Sequence, residues 1–349
     1  MARALAIRVD DIDRPVGLKI HKQATPLMGG VAVFSAFALA SAISLPFTAP
    51  VIGLLFGGLA AVVLGVLDEK LNLPPLVHLA GQVAAAGVAI VAGLGTIQAV
   101  SLPFSSLITP GYALPGVISL GLTLFWLVGM MNTVNFLDGL DGLVAGICAE
   151  VALLLALWGS EPGRFHLLAG VHHEDVLLPL ALLGALLGFL PFNWHVAKIF
   201  LGDSGAMFLG LSIGALAIVG PAKLGTALVV LVIPVLDVAW AIVRRQLKGR
   251  SFLTGDKQHV YHRMLELGMS HTGTVVTMYG IVAVLGALDL WLMKGPKFIA
   301  WVLLASLTFT VFVMLETQAG ASLLPAKAIL DEQPSASGSR DGPHDHPGG

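Results

Sequence analysis

The sequence predicts an all-α fold: a polytopic integral membrane protein with about ten transmembrane helices and its chemistry on cytoplasmic loops. Composition is the first reason. The 349 residues are 56% hydrophobic and only 11% charged, with a mean hydropathy of +0.88, whereas a soluble domain carries about 25% charged residues. Patterning is the second. The apolar residues form runs near the ~20 residues that a helix needs to cross a bilayer, and the period-2 alternation of a β-barrel is absent. The third is charge placement. With a cytoplasmic N-terminus, fifteen of the nineteen Lys and Arg fall on the inside, as the positive-inside rule requires.

Taken in order, residues 1–27 are a polar cytoplasmic segment with several basic residues and no apolar stretch of the kind a signal peptide needs. Spans are expected near 28–46, 50–67, 76–95, 113–131, 142–158, 176–193, 205–221, 223–243, 273–293 and 298–315. Together they make a transmembrane catalytic domain over 28–315. The 41 glycines suit close helix packing in lipid. Residues 316–349 are expected to form a disordered cytoplasmic tail: after Leu330 the chain turns to Ser, Gly, Pro, Asp and His, too polar to offset the entropy of ordering. The single cysteine, Cys148, excludes an intrachain disulfide and a thiolate metal cluster. The one-sided basic residues are a topology signal and call for no nucleic acid partner. His166, His172 and His173, with Glu174 and Asp175, lie in an outside loop and read as a solvated surface.

The loops assigned to the inside carry the chemistry. Asn132 and the run Asn135-Phe136-Leu137-Asp138-Gly139-Leu140-Asp141 place an amide and two carboxylates three residues apart, a spacing that shares one face of a helix or tight turn. Such oxygens suit a hard cation or the hydroxyls and ring N–H of a nucleotide. One Asp could cap a helix, but capping does not account for the whole set. Lys198-Ile199-Phe200-Leu201-Gly202-Asp203-Ser204-Gly205 immediately precedes the seventh span, where a helix N-terminus favours anions and Asp203 could hold a cation. Its plainer reading is N-capping. His259 and His262, with Lys257 and Arg263, read as hydrogen-bond donors for phosphate, against the plainer reading of a basic loop. No HExxH pattern supports zinc. Asp68-Glu69-Lys70 closes the second span, where paired carboxylates could bind a cation or manage a proton. Asp237 and Asp289 fall within spans, where charge is costly and paired or functional.

These clusters, in this order, resemble the polyprenyl-phosphate N-acetylhexosamine-1-phosphate transferases, over about His21 to Ser270. The resemblance rests on NFLDGLDG, KIFLGDSG and the histidine loop followed by Leu265-Glu266-Leu267-Gly268-Met269-Ser270. It implies transfer of a sugar 1-phosphate, N-acetylglucosamine 1-phosphate in the branch this chain resembles, from a UDP-sugar to undecaprenyl phosphate with release of UMP. The setting implied is the bacterial cytoplasmic membrane, in cell-envelope polysaccharide synthesis. It further implies Mg²⁺, with Mn²⁺ as a substitute, held by Asp203 and Asn135. Asp138 and Asp141 resemble the nucleotide-facing pair, and Phe200 the ring that stacks on uracil. Lys22, Asn132, Asn193, Lys198 and Arg263 match substrate-binding positions. Asp68, Glu69, His259 and His262 match catalytic ones, with Asp68 at the position of a proposed base. A homodimer is an allowed assembly.

The chain departs from the pattern in four places. Glu69 replaces the second Asp of a pair, and Tyr261 replaces the third-position histidine of an HxHH motif. Val196 replaces a proline, and only 27 residues precede the first span. The alternative within the class is phospho-N-acetylmuramoyl-pentapeptide transfer. The alternative outside it is a secondary transporter, which would place coupling carboxylates such as Asp237 and Asp289 near the midplane of inverted repeats. No repeat is visible, and most acids lie at span ends.

Overall fold

The structure is a computed structural model. It describes residues 25–100, 112–160, 174–219 and 259–291, with Ile12–Asp13 and a few isolated residues besides. Its elements are α1 (Gly29–Ser44), α2 (Ala49–Leu71), α3 (Pro75–Ala89), α4 (Gly116–Leu137), α5 (Leu143–Gly159), α6 (Glu174–Asn193), α7 (Gly202–Val219), α8 (Val260–Glu266) and α9 (His271–Trp291). A π-helical turn, Ile90–Leu94, extends α3. Two-residue antiparallel pairs join Ile12–Asp13 to Thr25–Pro26 and Ala99–Val100 to Tyr112–Ala113.

Eight of the ten expected spans correspond to helices. Six are long and apolar enough to cross a membrane, while α1 and α5 are shorter apolar helices of 16 and 17 residues. The chain is therefore a multi-pass membrane protein. The spans expected at 223–243 and 298–315 lie outside the described residues, as do Lys22, Asp237, Lys257 and the tail. Two boundaries differ from expectation in a way that matters. Helix α4 runs on to Leu137, so Asn132 and Asn135 are helical. Asp203 does not precede α7 but sits in its first turn.

Helix α7 is the centre of the bundle. It packs against α1, α2, α4 and α5 and is the most deeply buried of the long apolar helices, whereas α3 with its extension is the least. Its sequence makes this feasible. Gly205, Gly210 and Gly214 keep its surface narrow, and small residues let helix backbones approach without a steric stop. A methyl group on Gly65 of α2 would fall 2.2 Å from Ser204 Cα, so the two helices touch backbone to backbone just where the acidic motifs lie. The α3 helix packs on α2 and α4, and α6 on α5 and α1. Cys148 is buried within α5.

Candidate active site

Four sequence-distant motifs meet at one end of this bundle. Asn135, in the last turn of α4, donates from Nδ2 to Asp203 Oδ1 at 2.8 Å. The Ser204 N–H donates to Glu69 Oε1 at 3.1 Å, so the last turn of α2 supplies a carboxylate to the first turn of α7. A carboxylate there satisfies an otherwise unpaired N–H and the positive end of the helix. The turn depends on Gly202, which has a φ of +73° and lies so close that a Cβ would fall 2.3 Å from Glu69 Oε1. Only glycine combines that left-handed backbone with the absence of a side chain.

The segment from Lys198 to Leu201 is strapped to the chain before α1. Phe200 donates its N–H to the Pro26 carbonyl at 2.9 Å, and Gly29 and Gly30 donate to the carbonyls of Phe200 and Leu201 at 3.0 and 2.9 Å. Phe200 is half-buried, while Lys198 is exposed. Asn193 is buried and clips two motifs together: its Oδ1 accepts from the Gly142 N–H at 3.1 Å, and its Nδ2 donates to the Ile199 carbonyl at 3.0 Å.

Asp138 lies just past the end of α4. Burial, reinforced by the negative charges of Asp203, Glu69 and Asp141, raises its carboxyl from 3.8 to about 8. The carboxylates of Asp203, Glu69 and Asp138 lie close enough to raise one another's proton affinity, and their hard oxygens are the donors a Mg²⁺ ion takes. The residues therefore fit such an ion.

Asp141 belongs to a second knot. Its Oδ2 accepts from His195 Nδ1 at 2.9 Å and from the Ala197 N–H at 3.2 Å, while its own N–H donates to His271 Nε2 at 3.2 Å. Donor atoms of Asp141, His195 and His271 lie within 4.8 Å of one another. The two imidazoles, however, stack at 4.1 Å with planes 20° apart. Ring lone pairs lie in the ring planes, so these run alongside each other and do not converge on one centre.

The histidine loop closes the site. His259 is buried, its ring 5.7 Å from that of Phe136. His262 is half-buried and Arg263 buried beside it.

A family model described as glycosyl transferase family 4 matches residues 51–221, which include three of the four motifs. The decaprenyl-phosphate N-acetylglucosaminephosphotransferase of Mycolicibacterium smegmatis is 36% identical, covering 80% of this chain and 76% of its own. The chain belongs to glycosyl transferase family 4. A protein of Bacillus subtilis named "Probable undecaprenyl-phosphate N-acetylglucosaminyl 1-phosphate transferase" is 34% identical over the same shares. A phospho-N-acetylmuramoyl-pentapeptide-transferase of Shouchella clausii is 33% identical over 80% of this chain and 88% of its own.

Within this family 4 chain, the two departures in the motifs have local explanations. The longer arm of Glu69 reaches the N–H of Ser204. Tyr261 is buried, with its hydroxyl over Gly139 and directed at the Phe136 carbonyl, 3.4 Å away, so it ties the histidine loop to the NFLDGLDG segment. Asp289, a residue that a transporter would use, is buried and accepts from the Trp158 indole N–H at 2.8 Å, a pairing between α5 and α9. Sequence reading missed His78, Gln82, His195 and His271. His78 and Gln82 carried a signal: two polar residues four apart in an apolar span share a helix face, and polar groups in a membrane seek partners.

Proposed function

We propose that this family 4 transferase moves N-acetylglucosamine 1-phosphate from UDP-N-acetylglucosamine to undecaprenyl phosphate, with release of UMP. The proposed place is the cytoplasmic face of a bacterial inner membrane. The observation that carries the reading is the contact between Asn135 and Asp203, with Glu69 and Asp138 beside them, at the end of a buried helix. A hydrophilic nucleotide and a lipid phosphate can meet only at such a boundary.

An oxygen of the lipid phosphate bonds to the sugar-bearing phosphorus as the bond to UMP breaks. One diphosphate replaces another, so positioning and charge stabilisation carry the catalysis. A phosphomonoester has a second pKa of about 6 and is already largely ionised at neutral pH, so Asp68 has only to orient the acceptor or take up a residual proton. Asp203 and the Asn135 carbonyl oxygen would hold Mg²⁺, which when bound neutralises diphosphate charge. Asp138 and Asp141 face the nucleotide, and Phe200 offers its ring to the base. His259, His262 and Arg263 hold phosphate oxygens.

The Shouchella clausii relative favours a second reading, in which the donor carries N-acetylmuramoyl-pentapeptide. Transfer of radiolabelled sugar phosphate to undecaprenyl phosphate, run over a panel of UDP-sugars with and without Mg²⁺, separates the two. Labelled lipid only with the pentapeptide donor would replace the first reading by the second, and UMP release without added or bound divalent cation would remove Mg²⁺ from it.

A further inference from the structure

A chain of polar side chains runs from Asp68 across three helices. Asp68 Oδ2 lies 2.7 Å from His78 Nδ1 on α3. His78 Nε2 lies 2.9 Å from Gln82 Nε2, one turn further along α3. Gln82 is fully buried and pairs with Asn132 on α4: its Oε1 accepts from Asn132 Nδ2 at 2.8 Å, and its Nε2 lies 3.3 Å from Asn132 Oδ1. Asn132 Nδ2 also donates to the Val128 carbonyl at 2.8 Å.

These contacts determine where the imidazole proton sits. A main-chain carbonyl can only accept, so the Asn132 atom facing Val128 is nitrogen. The same nitrogen faces Gln82, so the Gln82 atom there is oxygen, and the other end of that amide presents N–H to His78. His78 Nε2 must then accept, which leaves the proton on Nδ1, aimed at Asp68. An imidazolium would set two N–H donors against each other. Flipping the amides would only move that conflict to Val128.

We propose that His78 is a positioning residue for Asp68: a neutral imidazole, fixed as the Nδ1–H tautomer through Gln82 and Asn132, that holds one carboxylate oxygen. The Leu73 N–H holds the other at 3.0 Å. Two donors on two oxygens set the plane of the carboxylate. Because the imidazole donor is neutral, it orients Asp68 without cancelling the charge, as a cation in its place would. In its functional consequence the inference rests on the proposed transfer reaction; in its tautomer it does not.

The test has two arms. Protein labelled with ¹⁵N-histidine, in nanodiscs, gives the tautomer from long-range ¹H–¹⁵N correlations, with the His78 signal identified by its loss in His78→Asn. A protonated Nδ1 and a bare Nε2 at neutral pH are expected; the opposite tautomer or an imidazolium overturns the proposal, whether or not the chain turns over any UDP-sugar. In the kinetic arm, His78→Asn places an amide nitrogen where Nδ1 stood, and His78→Gln places one where Nε2 stood. His78→Asn should keep kcat within about threefold, while His78→Gln lowers it by about tenfold or more with the donor KM unchanged. Equal losses in two variants that melt like the parent, or a loss confined to KM, would count against positioning.

Discussion

At the scale of single residues, Asp203 and Glu69 separate by what they touch. Asp203 is the proposed cation ligand, so Asp203→Ala should reduce transfer by at least about 100-fold in protein that still folds; substantial residual transfer would remove it from that role. Glu69 accepts from the Ser204 N–H through Oε1. Glu69→Asp should withdraw the carboxylate by one methylene and lower kcat by about tenfold, the equivalent of one hydrogen bond to a charged group. Asp138 gives a pH signature. Raised from 3.8 to about 8 when folded, it retains a proton that the unfolded chain releases, so the folded state binds more protons between those values. Stability of cation-free protein should therefore fall as pH rises through that window. Thermal melts across pH 4 to 8 should show the slope, and Asp138→Asn should flatten it. The grouping of Asp203, Asn135 and Asp138 at one place was legible in sequence, because acids and amides clustered at span ends have few structural uses. The tie from Asp141 to His195 and His271 was not legible, since it joins residues 54 and 130 positions apart and follows no local periodicity.

At the scale of elements, the approach of α2 to α7 decides whether the acidic motifs meet. Gly65→Ala should press a methyl group onto Ser204 and cost about 1–3 kcal/mol, seen as a lowered melting temperature and a parallel loss of activity. If the variant melts normally, the backbones are not in contact. Hydropathy located these helices well because their length is set by the bilayer. It misplaced the ends of α4 and α7, since Asn135 and Asp203 look like loop residues by polarity. Both sit within helices because each supplies the other with a partner, and a paired polar residue no longer needs water.

At the scale of the whole molecule, motifs from α2, α4, α7 and the histidine loop share one end of the bundle. In a background with Cys148→Ser, single cysteines at positions 138 and 203 should react with an impermeant thiol reagent only from the cytoplasmic side of sealed vesicles. Reaction from the opposite side would invert the topology read from the Lys and Arg. That shared end was implicit in the order of loops and spans, because alternation across a membrane sorts loops into two groups. The distances within the group were not, because they depend on helix tilt and close packing.

Among the described residues, helix α7 is the most deeply buried of the long apolar helices and packs against α1, α2, α4 and α5. With most of its surface buried against described neighbours, it has little room to change in sequence without disturbing them, and variation between relatives falls more easily to the outer helices and the loops near Asp203.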